Sequence, residues 1–106
     1  MTARRHFVLH PEAARDITEI WGFVARDNLP AAGRFRNEIL EAIRNLTVFP
    51  RQGHTRPDLT SRPLRFHNVR DYLIAYAAEE TPLLVIAVIH GHRNPRTIAA
   101  MLRSRE

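Results

Sequence analysis

Residues Leu83 to Pro95 read LLVIAVIHGHRNP. The first seven, Leu83 to Ile89, are all apolar, and the β-branched types Val and Ile dominate them. A strand that is apolar on both side-chain faces has to be covered on both, so this run is predicted to be a central strand. The run stops abruptly at His90, Gly91, His92, Arg93, Asn94 and Pro95. A buried strand thus delivers two imidazoles and a guanidinium to its own end. A rigid element ending in polar groups is a common way to position a functional site. The competing reading is that Gly91 and Pro95 make a turn and the histidines are only solvated.

Outward from this stretch, two strands are predicted before it, Leu64 to Val69 and Asp71 to Ala78. Arg70-Asp71 and Glu79 to Pro82 are short turn segments, so the three strands form an antiparallel meander. Before them, Arg51 to Arg62 (RQGHTRPDLTSR) is polar and reads as a surface loop. Two helices come earlier still. His10-Pro11-Glu12 is a helix start, with Pro11 in the first turn and Glu12 at the positive end of the dipole. Ala13, Ile17, Ile20, Trp21 and Val24 come next at helical spacing, and this helix ends near Asp27-Asn28. Pro30 opens the second helix, whose seam is Ala32, Phe35, Ile39, Ala42, Ile43 and Leu46, and Pro50 stops it. The short link predicts an antiparallel helical hairpin. Arg4 to Leu9 is a first strand, and Ile98 to Leu102 a last helical turn or two. The expected architecture is α+β, β-α-α-β-β-β with an optional C-terminal helix, in one domain over residues 1–106. One sheet face lies under the helices. The other has no obvious cover in the chain.

Composition narrows the class. A chain of 106 residues, 44% hydrophobic, can build one core. Cysteine is absent, which excludes disulfides and thiolate metal sites and suits a reducing cytoplasm. The longest apolar run is about seven residues, against roughly 20 for a membrane span. Met1 to Arg5 is basic, but His6 and His10 interrupt the apolar residues next to it, so no signal-peptide core is expected. The net charge is +5, and all 16 basic residues are arginine. The excess sits in residues 51–106, where nine arginines face five acids. Such a surface suits nucleic acid or an acidic protein.

The ordered set HPEAARDITEIWGFVA, P-x-A-x4-F before EILEAIRNL, FPRQG, PLRFHNVRDYLIAY and VIAVIHGHR resembles the RelE/ParE superfamily of type II toxins, most closely its ParE branch. The resemblance spans roughly residues 6 to 93. It implies a small bacterial toxin neutralised by a cognate, ParD-like antitoxin with an acidic C-terminal segment, in a hetero-oligomeric complex. It also implies DNA gyrase as the target. The alternative it implies is a RelE-like, ribosome-dependent mRNA endoribonuclease. No cofactor is implied.

The residues weigh on that choice. RNA cleavage needs a base for the 2′-OH proton, an acid for the leaving oxygen, and cations at the phosphorane. Family nucleases use lysines, arginines and a late tyrosine, or a glutamate and a histidine. Here lysine is absent and no tyrosine follows Tyr76. Arginine neutralises phosphate well but shuttles protons poorly. A nuclease would therefore have to run on His90 and His92 with Arg65 and Arg93. As a target-binding set the candidates are Arg65, Arg93 and Arg96. For the antitoxin they are Trp21, Tyr72 and Tyr76. Each has a plain structural alternative: Trp21 in the core, the tyrosines as sheet packing, and Arg65 paired with Asp71 or Glu79. An H-x-H pair can ligate metal, but with no cysteine and remote acids no metal site is expected.

Overall fold

A computed structural model describes residues 6–105. The elements run β1 (Phe7–Leu9), α1 (Pro11–Ala25), α2 (Leu29–Val48), β2 (Arg65–Val69), β3 (Tyr72–Ala77), β4 (Leu83–His90) and α3 (Pro95–Ser104). This is the expected order. Arg4 and Arg5, placed in the first strand from sequence, lie outside the described residues. The sheet order is β1-β4-β3-β2. β2, β3 and β4 form the antiparallel meander, while β1 joins β4 in parallel, so the sheet is mixed and β4 is internal along the stretch where β1 pairs with it.

Local chemistry sets the helix starts. His10 Nδ1 accepts the Glu12 N–H at 3.0 Å, and Asn28 Oδ1 accepts that of Ala31 at 3.0 Å. Asn94 Oδ1 accepts that of Arg96 at 2.8 Å. Each cap is followed within two residues by proline, whose missing donor costs nothing in a first turn. No helix among the described residues is long and apolar enough to cross a membrane.

The hairpin packs one face onto the sheet. Ile17, Ile20, Ile39, Ile43 and Leu46 meet Ile74, Tyr76, Val85 and Val88, with Phe35 and Tyr72 at the margin. Trp21 departs from the core reading: it is 37% exposed, because the buried line of α1 runs through Ala13, Ile17 and Ile20 and turns the indole outward.

The second sheet face is covered, contrary to expectation. Ile98 and Leu102, one turn apart on α3, pack with Leu59 and Leu64 over Phe66, Leu73, Ala75, Ile86 and Ile89. α3 is therefore a full layer element of ten residues. It makes β4 apolar on both faces for a reason internal to the chain.

A second departure concerns His90. Uninterrupted alternation would put it on one face with Leu84, Ile86 and Val88. The β3–β4 register jumps from Ala75↔Ala87 to Tyr76↔Val85, so β4 carries one extra residue at Ile86. Such a bulge reverses the alternation. Leu83 and Val85 face the hairpin, Ile86 and Ala87 face α3, and Val88 returns to the hairpin side. His90 follows Val88.

Candidate functional site

β4 runs on past its parallel partner. β1 pairs only as far as Val85, where Val85 O accepts the His10 N–H at 2.9 Å. Beyond that point the β4 edge lies open between α1 and α3. Its freed backbone groups are met by a buried ion pair, Arg105 Nη1 to Asp16 Oδ2 at 2.6 Å and Nη2 to Oδ1 at 3.1 Å. Asp16 Oδ2 also accepts the Val88 N–H at 3.0 Å, and Arg105 Nη1 donates to Ile86 O at 3.2 Å. The pair thus ties α1, the bulge of β4 and the end of α3 together.

Further along the edge lies an open groove of about 170 Å³. It is lined by the apolar side chains of Ile20, Phe23, Val88, Ile89 and Met101, with Asp16, Glu19, Tyr72, His90 and Arg93. The groove is too small and open to enclose a drug-sized ligand. Phe23 is 65% exposed beside it.

At the end of β4 the rings form a row. Phe35 and Tyr72 centroids are 5.5 Å apart, Tyr72 and His90 5.0 Å, His90 and His92 5.1 Å. The Arg70 guanidinium lies 5.9 Å from the Phe35 centroid. Arg70 has a φ of 54°, uncommon for a side chain larger than glycine or asparagine. It is held there by a two-pronged bond to Glu38 at 2.7 and 2.8 Å, which keeps the Glu38 carboxyl below the usual carboxylate range. His90 Nδ1 accepts the His92 N–H at 3.2 Å. Gly91 sits close to the neighbouring strand: a Cβ there would stand 3.2 Å from Asp71 O, a tight contact. The histidines are thus both turn-forming and surface groups, with Arg93 resting against Met101 Sδ at 3.8 Å.

The structure does not assemble the four residues of the nuclease reading. His90, His92 and Arg93 share one end of the sheet. Arg65 pairs in register with Tyr76, whereas His90 pairs with Tyr72. Four residues of strand at about 3.3 Å each separate those positions. Arg65 Nη1 instead donates to Gly53 O at 2.8 Å, and pairs with neither Asp71 nor Glu79. It clamps the loop between α2 and β2. Tyr76 does the same from the core: its hydroxyl donates to Pro50 O at 2.7 Å and accepts the Gly53 N–H at 2.9 Å. Its side chain is fully buried, so Tyr76 offers a partner no surface, which corrects its assignment to antitoxin contact. Burial raises its phenol pKa. Tyr72 and Trp21 remain reachable, Trp21 beside Thr18 and Arg36 in a shallow depression on the hairpin.

Arg96 stands exposed on α3. Asp16, Phe23, Arg103 and Arg105 were not singled out from sequence. For the ion pair no local signal existed, since 89 residues separate its members. The missing acids around residues 90–105 were a legible signal for Arg103. Among the described residues no three His, Asp or Glu side chains converge as metal ligands would.

Residues 7–95 match the family model described as ParE toxin of type II toxin-antitoxin system, parDE. The matched span includes the row of rings and Arg93 and stops at the first residue of α3. No curated protein matches the chain.

Proposed function

Because the chain belongs to the ParE toxin family of type II toxin-antitoxin systems, we propose that it arrests growth in the cytoplasm by inhibiting DNA gyrase. In this reading a ParD-like antitoxin holds it inactive. The observation that carries the choice of target is the division of the cationic and proton-transfer groups. Arg65 serves the loop at one end of the sheet, while His90, His92 and Arg93 stand at the other. A ribosome-dependent nuclease would need both at one phosphate.

The antitoxin surface is proposed to run over Trp21 and Phe23 toward Tyr72. These are exposed apolar groups on and beside α1, and Arg36 next to Trp21 suits an acidic segment. Arg93 is proposed as a target contact.

The test is induced expression without antitoxin, scored for DNA damage against mRNA cleavage. The parent should provoke a DNA-damage response and filamentation while mRNA stays intact. A His90→Gln, His92→Gln double variant should keep most of its toxicity. Arg93→Ala should weaken target inhibition about 10- to 100-fold, the equivalent of one charge-assisted contact of about 1.5–3 kcal/mol. Loss of toxicity in the double-histidine variant, with antitoxin binding intact and ribosome-bound mRNA cut by the parent, would establish the nuclease instead.

A further inference from the structure

Residues 90–105 contain four arginines and no acid. Only Arg105 is neutralised, by Asp16. Arg93, Arg96 and Arg103 have no acidic partner among the described residues, and neither has Arg62. Arg62 joins the same region because its Nη1 donates to Leu102 O at 2.9 Å, at the end of α3. Elsewhere the charges are interleaved: residues 1–50 hold seven arginines and six acids.

The helix itself orders this charge. Arg96 and Arg103 are seven residues apart, which places them within about 20° of each other around the axis and about 10 Å along it. Between them on the outer face is Ala100, with Thr97 and Ser104 to one side, all exposed. The apolar residues Ile98 and Leu102 point the other way, into the sheet. The Asp16–Arg105 pair and the Arg62 bond fix the helix by its far end, so the outward face is held in place.

We infer that this face of α3, through Arg96 and Arg103 with Arg62 at its far end, binds the phosphate backbone of duplex DNA. The face has charge and small polar groups but no large exposed apolar side chain, so it has little to bury against a protein. Its stretch from Arg96 to Arg103 carries no aromatic ring on which an unpaired base could stack, as single-strand recognition requires. Guanidinium groups bond phosphate in a two-pronged geometry and read no sequence. The inference deepens the gyrase reading, on which its biological setting rests, by giving the toxin its own hold on the DNA that the enzyme handles. Arg96 and Arg103 lie outside the span matched by the family model, whereas Arg62 lies inside it.

The test is fluorescence anisotropy of the full chain with a labelled duplex of about 25 base pairs, over a range of salt. Three phosphate contacts correspond to a log–log salt slope of about −2.7 at most. Arg96→Gln with Arg103→Gln should make the slope shallower by about 1.8 and lower the affinity at least tenfold at low salt. Arg26→Gln with Arg34→Gln removes the same charge from exposed sites on the hairpin and should change both far less. Circular dichroism and antitoxin binding check that each variant is folded. A single-stranded RNA of equal length should bind more weakly than the duplex.

An Arg96/Arg103 variant with the parent's slope overturns the inference. So does a control variant that loses as much, or a preference for the single strand. Gyrase inhibition measured on the same samples separates the two claims. If the parent inhibits gyrase while DNA affinity ignores Arg96 and Arg103, the DNA face falls and the gyrase reading stands. If DNA binding depends on these arginines but gyrase is untouched, the reverse holds.

Discussion

Asp16→Asn tests how the open edge of β4 is held. Asparagine keeps the shape of aspartate and one carbonyl-type oxygen, so the bond from the Val88 N–H survives. The charge facing Arg105 disappears. The two side chains are 7% and 11% exposed, and their closest approach is 2.6 Å. At an effective dielectric of about 20, unit charges about 4 Å apart attract by about 4 kcal/mol. Removing one member of a buried pair typically costs about 3–5 kcal/mol, because the other charge stays buried without compensation. A small domain has about 5–15 kcal/mol in all. Equilibrium urea unfolding measures this directly. With an m-value near 1.5 kcal/mol/M, the midpoint should fall by about 2–3 M. Replacing both members, Asp16→Leu with Arg105→Met, should recover part of the loss. It should remain below the parent, since Val88 N–H and Ile86 O then lose partners at about 1–3 kcal/mol each. A midpoint for Asp16→Asn within about 0.3 M of the parent would show that the pair does not hold α3 to the sheet.

Two more outcomes concern the loop and a histidine. At Gly53 an added Cβ would lie 2.6 Å from Tyr76 Oη and 2.8 Å from Phe66 O. The second is backbone and cannot rotate away, so Gly53→Ala should cost about 1–3 kcal/mol and lower Tm by about 4–8 °C per kcal/mol; an unchanged Tm would mean the loop is not seated on Tyr76. Burial, with a smaller contribution from nearby His54, lowers the pKa of His67. The folded state then takes up its proton less readily than the unfolded chain, so this group's contribution is complete above about pH 6.5 and is lost as pH falls from there toward the lowered folded value. The midpoint drop between pH 7.5 and 5.5 should be smaller in His67→Gln than in the parent, and an equal drop would remove His67 from the account.

Much of the fold was legible because it is written locally. His10-Pro11, Asn28 with Pro30, and Asn94-Pro95 announce helix starts through bonds that span two or three residues. The spacing of Ile39 and Ile43 names the buried seam of α2, and the apolar run from Leu83 names the strand that needs cover on both faces. The strand-end group His90, His92 and Arg93 was likewise readable, since a strand carries its own end with it.

The features that sequence alone left undecided depend on meetings between distant segments. Alternation groups His90 with Leu84, Ile86 and Val88, and the bulge at Ile86, a property of strand pairing, leaves it with Val88 alone. Tyr76 reads in sequence as either sheet packing or a partner contact, and only Pro50 and Gly53 closing over it decide for the core. Arg65 and Arg93 both looked like target arginines, and register sends them to opposite ends of the sheet. Asp16 and Arg105 look like ordinary surface residues in sequence and become a buried pair only when α1, β4 and α3 converge. The sequence by itself determined the elements, their order and the excess of positive charge, because propensity, capping and periodicity act within a few residues. Only the tertiary structure decided which face each side chain occupies and which arginines remain free, because burial and ion pairing are settled by whatever packs alongside.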